Sequence, residues 1–169
     1  MNLRKLLISS LLLAVGLMLR QITPPILMGM KPDFMLSMMF IAIIFADDYK
    51  LTLVIGLASG IIAAMTTTFP GGQVPILIDK VLTCNFVFIM IKVLGDKLAG
   101  GIKIIIISLM GTLFSGFAFL LTALFLAGLP APFSALVATV VIPAAILNTI
   151  SASILFNAVT LAMKRITAK

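Results

Sequence analysis

Long apolar blocks separated by short polar breaks dominate the chain, and this pattern predicts membrane-spanning helices. An α-helix of about 20 apolar residues is long enough to cross the hydrocarbon layer of a bilayer. Charged residues, glycines and prolines mark the ends of the blocks, because glycine and proline disfavour helix interiors. The predicted helices span residues 3–22, 34–46, 51–65, 81–94, 104–127 and 143–163.

Two parts of this pattern leave alternatives open. Proline suits the first turn of a helix, so the sixth helix is expected to begin near Pro143, and residues 133–142 form a loop or a short interfacial helix. The second and third helices are short. Either both helices cross the membrane, or together they form a re-entrant hairpin. In both cases the later helices keep the same orientation in the membrane.

Composition supports a membrane protein. Hydrophobic residues make up 62% of the chain, against twelve Lys and Arg and five acidic residues. A soluble domain of this size carries roughly a quarter charged residues. We therefore expect an all-α fold, an integral membrane bundle of six transmembrane helices, with residues 1–169 as a single transmembrane domain.

Several functional classes are excluded by the residues that the chain lacks. Cys84 is the only cysteine and there is no histidine, which argues against a disulfide and against a zinc or haem site. No phosphate-binding G-x-x-x-x-G-K-[S/T] loop is present, so this chain does not hydrolyse ATP by that route. No basic tract is dense enough for nucleic acid. We expect no catalytic residues, metal or cofactor.

The distribution of positive charge predicts the orientation. With six crossings, both termini and the turns at residues 47–50 and 95–103 share one side of the membrane. Nine basic residues fall on that side and three on the other; cytoplasmic loops carry the excess of Lys and Arg, so both termini are expected in the cytoplasm. The nine are Arg4, Lys5, Lys50, Lys92, Lys97, Lys103, Lys164, Arg165 and Lys169, and the three are Arg20, Lys31 and Lys80.

The outer side carries the candidate binding residues. Both signs of charge occur at the expected outer boundary of the membrane, in the pairs Lys31 with Asp33 and Asp79 with Lys80. A cation and an anion together can hold the carboxylate and ammonium of an α-amino acid. The alternative is that these residues anchor the helix ends at the headgroup level.

The third loop, residues 66–79, is rich in proline and glycine and includes Thr67 and Gln73. Proline stiffens a loop by lowering its unfolded entropy. Rigid loops on one face of a bundle suit a ligand cradle, although they also suit compact connections. Thr67 and Gln73 are therefore included among the candidate ligand contacts.

Asn148 is the candidate inside the last helix. A polar amide in lipid is costly, so Asn148 should face the bundle, where it holds either a ligand or a neighbouring helix. Met35, Met38 and Met39 share one helical face and either line a pocket for a flat aromatic ligand or pack in the core. All five aspartates are expected to flank the helices, which argues against a carrier with an acidic relay.

The first helix carries a pair of small residues, Ser10 and Ala14, spaced four apart among leucines. Such a pair lets another helix approach closely, either within the chain or from a separate subunit.

Several stretches together resemble one known family. They are Met30-Lys-Pro-Asp33, Thr66-Thr-Thr-Phe-Pro-Gly-Gly-Gln-Val-Pro75 with Ile78-Asp-Lys80, Gly128-Leu-Pro130 and Pro143-Ala-Ala-Ile-Leu-Asn-Thr-Ile150. In order and spacing they resemble the TrpP-type tryptophan transport proteins, which resemble S-components of energy-coupling factor (ECF) transporters.

The resemblance implies a six-helix S-component in a bacterial cell membrane. Such a subunit would bind tryptophan or a related indole from outside and associate with a transmembrane T-component and two cytoplasmic ATPases. It also implies that Ser10 and Ala14 contact the T-component, where S-components usually carry an A-x-x-x-A stripe; Met18 shortens the stripe here. The alternatives are a structural membrane scaffold of the MreD type and a solitary secondary carrier or pore.

Overall fold

The computed structural model describes residues 2–24, 32–95 and 98–167. All regular structure in these ranges is helical, which confirms the all-α fold. The elements are α1 (Leu3–Ile22), α2 (Phe34–Ala46), α3 (Tyr49–Met65), α4 (Gln73–Leu94), α5 (Gly100–Leu126), α6 (Phe133–Leu136), a π-helical segment (Val137–Val141) and α7 (Ile142–Thr167).

Polar residues at the breaks cap the first three helices. The side chains of Asn2, Asp33 and Asp48 accept hydrogen bonds from the backbone N–H groups of Arg4, Leu36 and Lys50. These caps satisfy N–H groups that have no partner inside the helix. They account for the agreement between the predicted and observed starts of α1 and α2.

The short helix α2 is the centre of the bundle. Ten of its 13 residues are buried, and it contacts α1, α3, α4, α5 and α7. A helix that is apolar on every side is stable only where other elements surround it. The surrounding helices therefore shield α2, whose length is only about 20 Å at 1.5 Å per residue.

Close contacts join the remaining helices into one bundle. The rings of Phe86 on α4 and Phe114 on α5 stack with centroids 4.2 Å apart. Tyr49 on α3 donates a hydrogen bond to Asn85 Oδ1 on α4 at 2.8 Å. Asn85 therefore holds a neighbouring helix.

The structure corrects the predicted start of the fourth helix. It begins at Gln73 rather than at residue 81, so Asp79 and Lys80 lie inside α4 and not in a loop. Pro75 falls in the first turn, where its missing N–H breaks no helical hydrogen bond. The opposite charges of Asp79 and Lys80 pair within the bundle, so they do not end the helix. The third and fifth helices also begin earlier than predicted, at Tyr49 and Gly100.

The chain does not break before α7, which begins at Ile142, beside the predicted start near Pro143. The chain is helical from Phe133 onward, and Pro143 is the second residue of α7. Just before it, the Ile142 N–H donates to the Val137 carbonyl five residues back, as in a π-helix. A proline has no N–H for the normal bond and its ring crowds the preceding turn. The wider π turn accommodates this defect without ending the helix.

Within the described ranges, four helices are long and apolar enough to cross a membrane: Leu3–Ile22, Gln73–Leu94, Gly100–Leu126 and the continuous Phe133–Arg165. Many large apolar side chains on their outer faces are exposed, among them Leu11, Phe125 and Ile154. Apolar surface on this scale is covered by lipid or by other proteins. The chain is thus a helical membrane bundle with α2 at its core.

Candidate functional site

A cavity of about 430 Å³ lies between α4, α5 and the α6–α7 helix, next to the start of α2. Its volume falls in the range typical of sites for small molecules. Loop 3, the segment between α3 and α4, contributes Phe69, and the segment between α5 and α6 contributes Pro130. The full lining is Arg20, Asp33, Leu36, Ala63, Phe69, Ile76, Asp79, Lys80, Thr112, Ser115, Gly116, Phe119, Leu120, Pro130, Leu136, Val140, Val141, Ala144 and Asn148.

A buried ion pair forms the polar wall of the cavity. Lys80 Nζ lies 2.7 Å from Asp79 Oδ2, and the two residues are only 4% and 2% exposed. Ser115 on α5 donates to Asp79 Oδ2 at 3.0 Å, and Thr83 donates to Asp79 Oδ1 at 2.9 Å. Burial of charge is tolerated only where pairing and hydrogen bonds compensate for the lost hydration, and Asp79 has both.

Asp33 is the second acidic group of the site and is held more loosely. Its carboxylate lies 3.9 Å from both Lys80 Nζ and Arg20 Nη1, beyond the 2.7–2.9 Å typical of charge-assisted hydrogen bonds. The backbone N–H of Asp33 donates to Asn148 Oδ1 at 2.7 Å. Asn148 therefore fixes the start of α2 against α7, and its side chain also lines the cavity.

Polar and apolar lining residues occupy different levels of the cavity. Near loop 3 and the α5–α6 segment the walls are apolar, and Phe69 meets Phe119 edge to face at 5.3 Å. The polar residues lie one to three helical turns farther from these loops: Asp79 and Lys80 on α4, Thr112 and Ser115 on α5, and Asn148 on α7. We call the apolar level the aromatic end and the polar level the polar end. The cavity can thus take an amphipathic molecule with one charged part and one apolar part.

The structure places the predicted site residues in three groups. Asp33, Asp79, Lys80 and Asn148 come from three helices and line one cavity. Lys31 lies outside the described residues. The third group, Met35, Thr67 and Gln73, is absent from the cavity lining.

The three residues that do not line the cavity, Met35, Thr67 and Gln73, lie elsewhere in the structure. Met35 is fully buried in the core, as are Met38 and Met39, and Met39 Sδ accepts a hydrogen bond from Ser59. The methionine face therefore packs in the core. Thr67 Oγ1 accepts from the Phe69 N–H within loop 3, and Gln73 is exposed at the first turn of α4.

The structure also overturns the expectation that every aspartate flanks a helix. Asp79 lies in the second turn of α4 and is 2% exposed. The charged groups were expected at the rim of the site, but Asp79 and Lys80 form part of its buried wall. Because Asp79 is a buried carboxylate within an apolar helix long enough to cross a membrane, a secondary carrier is no longer excluded.

Sequence reasoning missed the contribution of α5, which supplies Thr112, Ser115, Gly116 and Phe119. One available signal was the spacing of Ser108, Thr112 and Ser115, which puts three hydroxyls on one face of an otherwise apolar helix. Arg20 and Phe69 had no such signal, because their roles depend on how α1 and loop 3 fold back onto the bundle.

On α1, Ser10 and Ala14 lie on an exposed face, together with Met18. Ser10 Oγ donates to the Leu6 carbonyl at 2.8 Å, so its hydroxyl is satisfied within α1. The face is open to lipid or to another subunit.

Comparison with known proteins gives consistent matches over the whole chain. The family model described as tryptophan transporter TrpP matches residues 2–164. A probable tryptophan transport protein of Clostridium acetobutylicum is 52% identical over 97% of this chain and 96% of its own length. Those of Bacillus subtilis and Clostridium perfringens are 44% and 42% identical, over 98% and 97% of this chain and 95% of each relative.

No solved structure matches the chain significantly. The family match confirms the resemblance drawn from the loop sequences, and the relatives align over nearly their full lengths. The chain belongs to the tryptophan transporter TrpP family.

Proposed function

We propose that this chain binds tryptophan in the cavity and acts as the substrate-binding S-component of an ATP-driven ECF importer in the bacterial cell membrane. The observation that carries the proposal is the pairing of a buried charged cluster with an apolar, aromatic end in one cavity of suitable size. The names of the relatives support tryptophan as the ligand.

The two levels of the cavity match the two parts of the ligand. A free amino acid carries an ammonium and a carboxylate, and Asp33, Asp79 and Lys80 provide counter-charges of both signs. An indole ring needs apolar walls, and edge-to-face contact with Phe69 or Phe119 would add to its burial. A smaller aliphatic amino acid would leave this end of the cavity partly empty.

The expected orientation of the chain in the membrane supports a role in uptake. The excess of Lys and Arg on one side supports a cytoplasmic location of both termini. The ends of α4 and α5 that meet loop 3 and the α5–α6 segment then face outward, and these segments border the cavity. Ligand would enter from the outside and be delivered inward.

Calorimetry on the purified protein tests whether tryptophan is the ligand. We expect saturable binding of tryptophan with one site per chain, and at least tenfold weaker binding of alanine, which has the same head group but no ring. Absence of saturable tryptophan binding by folded protein would overturn the proposed substrate.

Coupling to ATP requires partner subunits, namely a T-component and two ATPases, because the chain has no phosphate-binding loop of its own. The exposed α1 face containing Ser10 and Ala14 is the proposed contact with the T-component. Ala14→Leu should abolish tryptophan uptake by cells without changing the binding affinity of the purified protein, since bulk at this position prevents close helix approach. Ala158→Leu, at an exposed alanine of α7, is the matched control.

A solitary secondary carrier is the second candidate, and the buried Asp79 favours it. Intramembrane carboxylates often take part in proton or ion coupling. Reconstitution of the chain alone in liposomes separates the candidates. The importer model predicts no tryptophan accumulation under an imposed proton or sodium gradient, whereas accumulation without any ATPase would favour the carrier.

A further inference from the structure

Thr112 on α5 is a threonine of the cavity wall. Its side chain is 4% exposed and lines the cavity, yet its hydroxyl has no hydrogen-bond partner among the described residues. Thr122, on the same helix, donates instead to the Ala118 carbonyl one turn back, and Thr149 on α7 does the same to Ala145. A buried hydroxyl without a partner is unfavourable. The hydroxyls of Ser37, Ser108 and Thr160 also lack partners, but of these four residues only Thr112 lines the cavity, where a bound molecule can satisfy it.

The surroundings of Thr112 favour an anionic partner. It lies at the polar end, about one turn along α5 from Ser115, and the acceptors of the buried cluster there are already occupied. Asp79 accepts from Lys80, Ser115 and Thr83, and Asn148 Oδ1 accepts from the Asp33 N–H. A lysine ammonium has three N–H donors, and a short bond to Asp79 and a longer one to Ser115 Oγ at 3.4 Å occupy only part of this capacity. Apart from the loosely held Asp33 carboxylate, the acceptors at this end are therefore occupied, whereas Lys80 and Thr112 retain the capacity to donate.

We propose that Thr112 is a specificity-determining residue that donates its hydroxyl hydrogen to the α-carboxylate of the bound amino acid, alongside Lys80. The loosely held Asp33 carboxylate then receives the substrate ammonium, and the indole ring points toward Phe69 and Phe119 at the aromatic end. The substrate thus binds with its charged head innermost. This inference rests on the proposed function, because it assigns the orientation of the proposed substrate.

The chain contains no tryptophan, so the emission of the ligand itself reports its binding and surroundings. Thr112→Val has nearly the same shape but no hydroxyl, and should weaken tryptophan binding about tenfold. The emission maximum of the bound ligand should stay unchanged, because the ring contacts are retained. Thr112→Ser keeps the hydroxyl and should bind within about twofold of the unaltered protein. Thr122→Val, whose hydroxyl is satisfied by its own helix, is the control.

Other results would overturn the inference. Equal affinity of the Thr112→Val and unaltered proteins for tryptophan would show that the hydroxyl does not contact the ligand. A weaker affinity accompanied by a shifted emission maximum would place Thr112 at the indole ring, with the substrate bound the other way round. If the unaltered, folded protein does not bind tryptophan, the proposed function itself fails, and this outcome is separate from the other two.

Discussion

At the residue scale, Asp79 and Lys80 form the contact on which the site depends. Each charge alone would be strongly unfavourable inside a membrane bundle, but together with Ser115 and Thr83 they form a satisfied cluster. The same cluster forms one wall of the cavity. We therefore propose that the two residues contribute both to stability and to ligand binding, and variants can separate these contributions.

Asp79→Asn should abolish tryptophan binding and destabilise the protein by about 3 kcal/mol, because it leaves the Lys80 ammonium buried without its main partner. The double variant Asp79→Leu/Lys80→Met removes both charges and should recover most of the stability, yet still fail to bind. Thermal unfolding in detergent and calorimetry give the two readouts. Tryptophan binding by the stable double variant would remove the pair from the site.

A second ion pair, between Lys92 and Asp47, lies at the opposite end of α4 from loop 3. The Lys92 hydrogen bond and charge lower the pKa of Asp47 below its ordinary value. Because the folded-state pKa is lowered, the stabilisation is present above the pKa of unfolded aspartate and is lost as pH falls through the folded value. Both side chains are more than half exposed, so the contribution is small.

Lys92→Met should raise the pKa of Asp47 toward its ordinary value, as followed by the NMR shift of its carboxyl carbon. Lys50→Met removes a nearby charge that makes no ion pair with Asp47 and is the control. An unchanged titration of Asp47 in the Lys92→Met variant would show that the pair does not form in solution.

At the element scale, the helices that pack around the cavity are in close contact. A Cβ atom added at Gly116 of α5 would lie 2.5 Å from Val141 Cγ1, at the end of the π-helical segment. Both residues line the cavity. Glycine at this position therefore allows α5 to approach the wide turn of the α6–α7 helix.

Gly116→Ala should destabilise the protein by about 1–3 kcal/mol, because the methyl group displaces Val141, and should also weaken tryptophan binding. Adding Val141→Ala should relieve the clash and recover stability. Gly101→Ala, where nothing lies within 4 Å of the new atom, should be neutral or stabilising. Equal unfolding temperatures for the unaltered and Gly116→Ala proteins would contradict this account of the α5–α7 contact.

The elements show which parts of the fold could be predicted from sequence. The bounds of α1 and α2 were predictable because capping side chains and an uninterrupted apolar block coincide there. The start of α4 was not, because Asp79 and Lys80 neutralise each other only in the folded bundle. The continuation through Pro143 was missed because a π turn can accommodate a proline, and local sequence does not reveal that turn.

The site was predictable to a similar extent. Charged and amide side chains in an apolar chain are conspicuous, so Asp33, Asp79, Lys80 and Asn148 could be selected before the fold was known. Their partners on α5 could not be assigned, because serine and threonine in membrane helices commonly bond to their own backbone. Only the packing shows that Ser115 instead donates to Asp79.

At the scale of the whole molecule, the bundle has α2 at its core and a cavity near one end. The direction of transport depends on which side of the membrane that end faces. The excess of positive charge on the opposite turns is the basis for our proposal that the cavity end faces outside.

Single cysteines test this orientation in a Cys84→Ala background. Gln73→Cys lies at the exposed start of α4 on the cavity end, and Gly101→Cys lies at the exposed start of α5 on the opposite end. A membrane-impermeant maleimide added to intact cells should label the first and not the second, whereas permeabilised cells should show both. The reverse pattern would place the cavity end in the cytoplasm.

A structure of the protein purified with saturating tryptophan tests the central claim most directly. We predict that the amino acid occupies the cavity between α4, α5 and α7, with its charged head beside Asp79 and Lys80 and its ring beside Phe119. Tryptophan bound at another place on the bundle, or an unoccupied cavity at saturating ligand, would contradict the account.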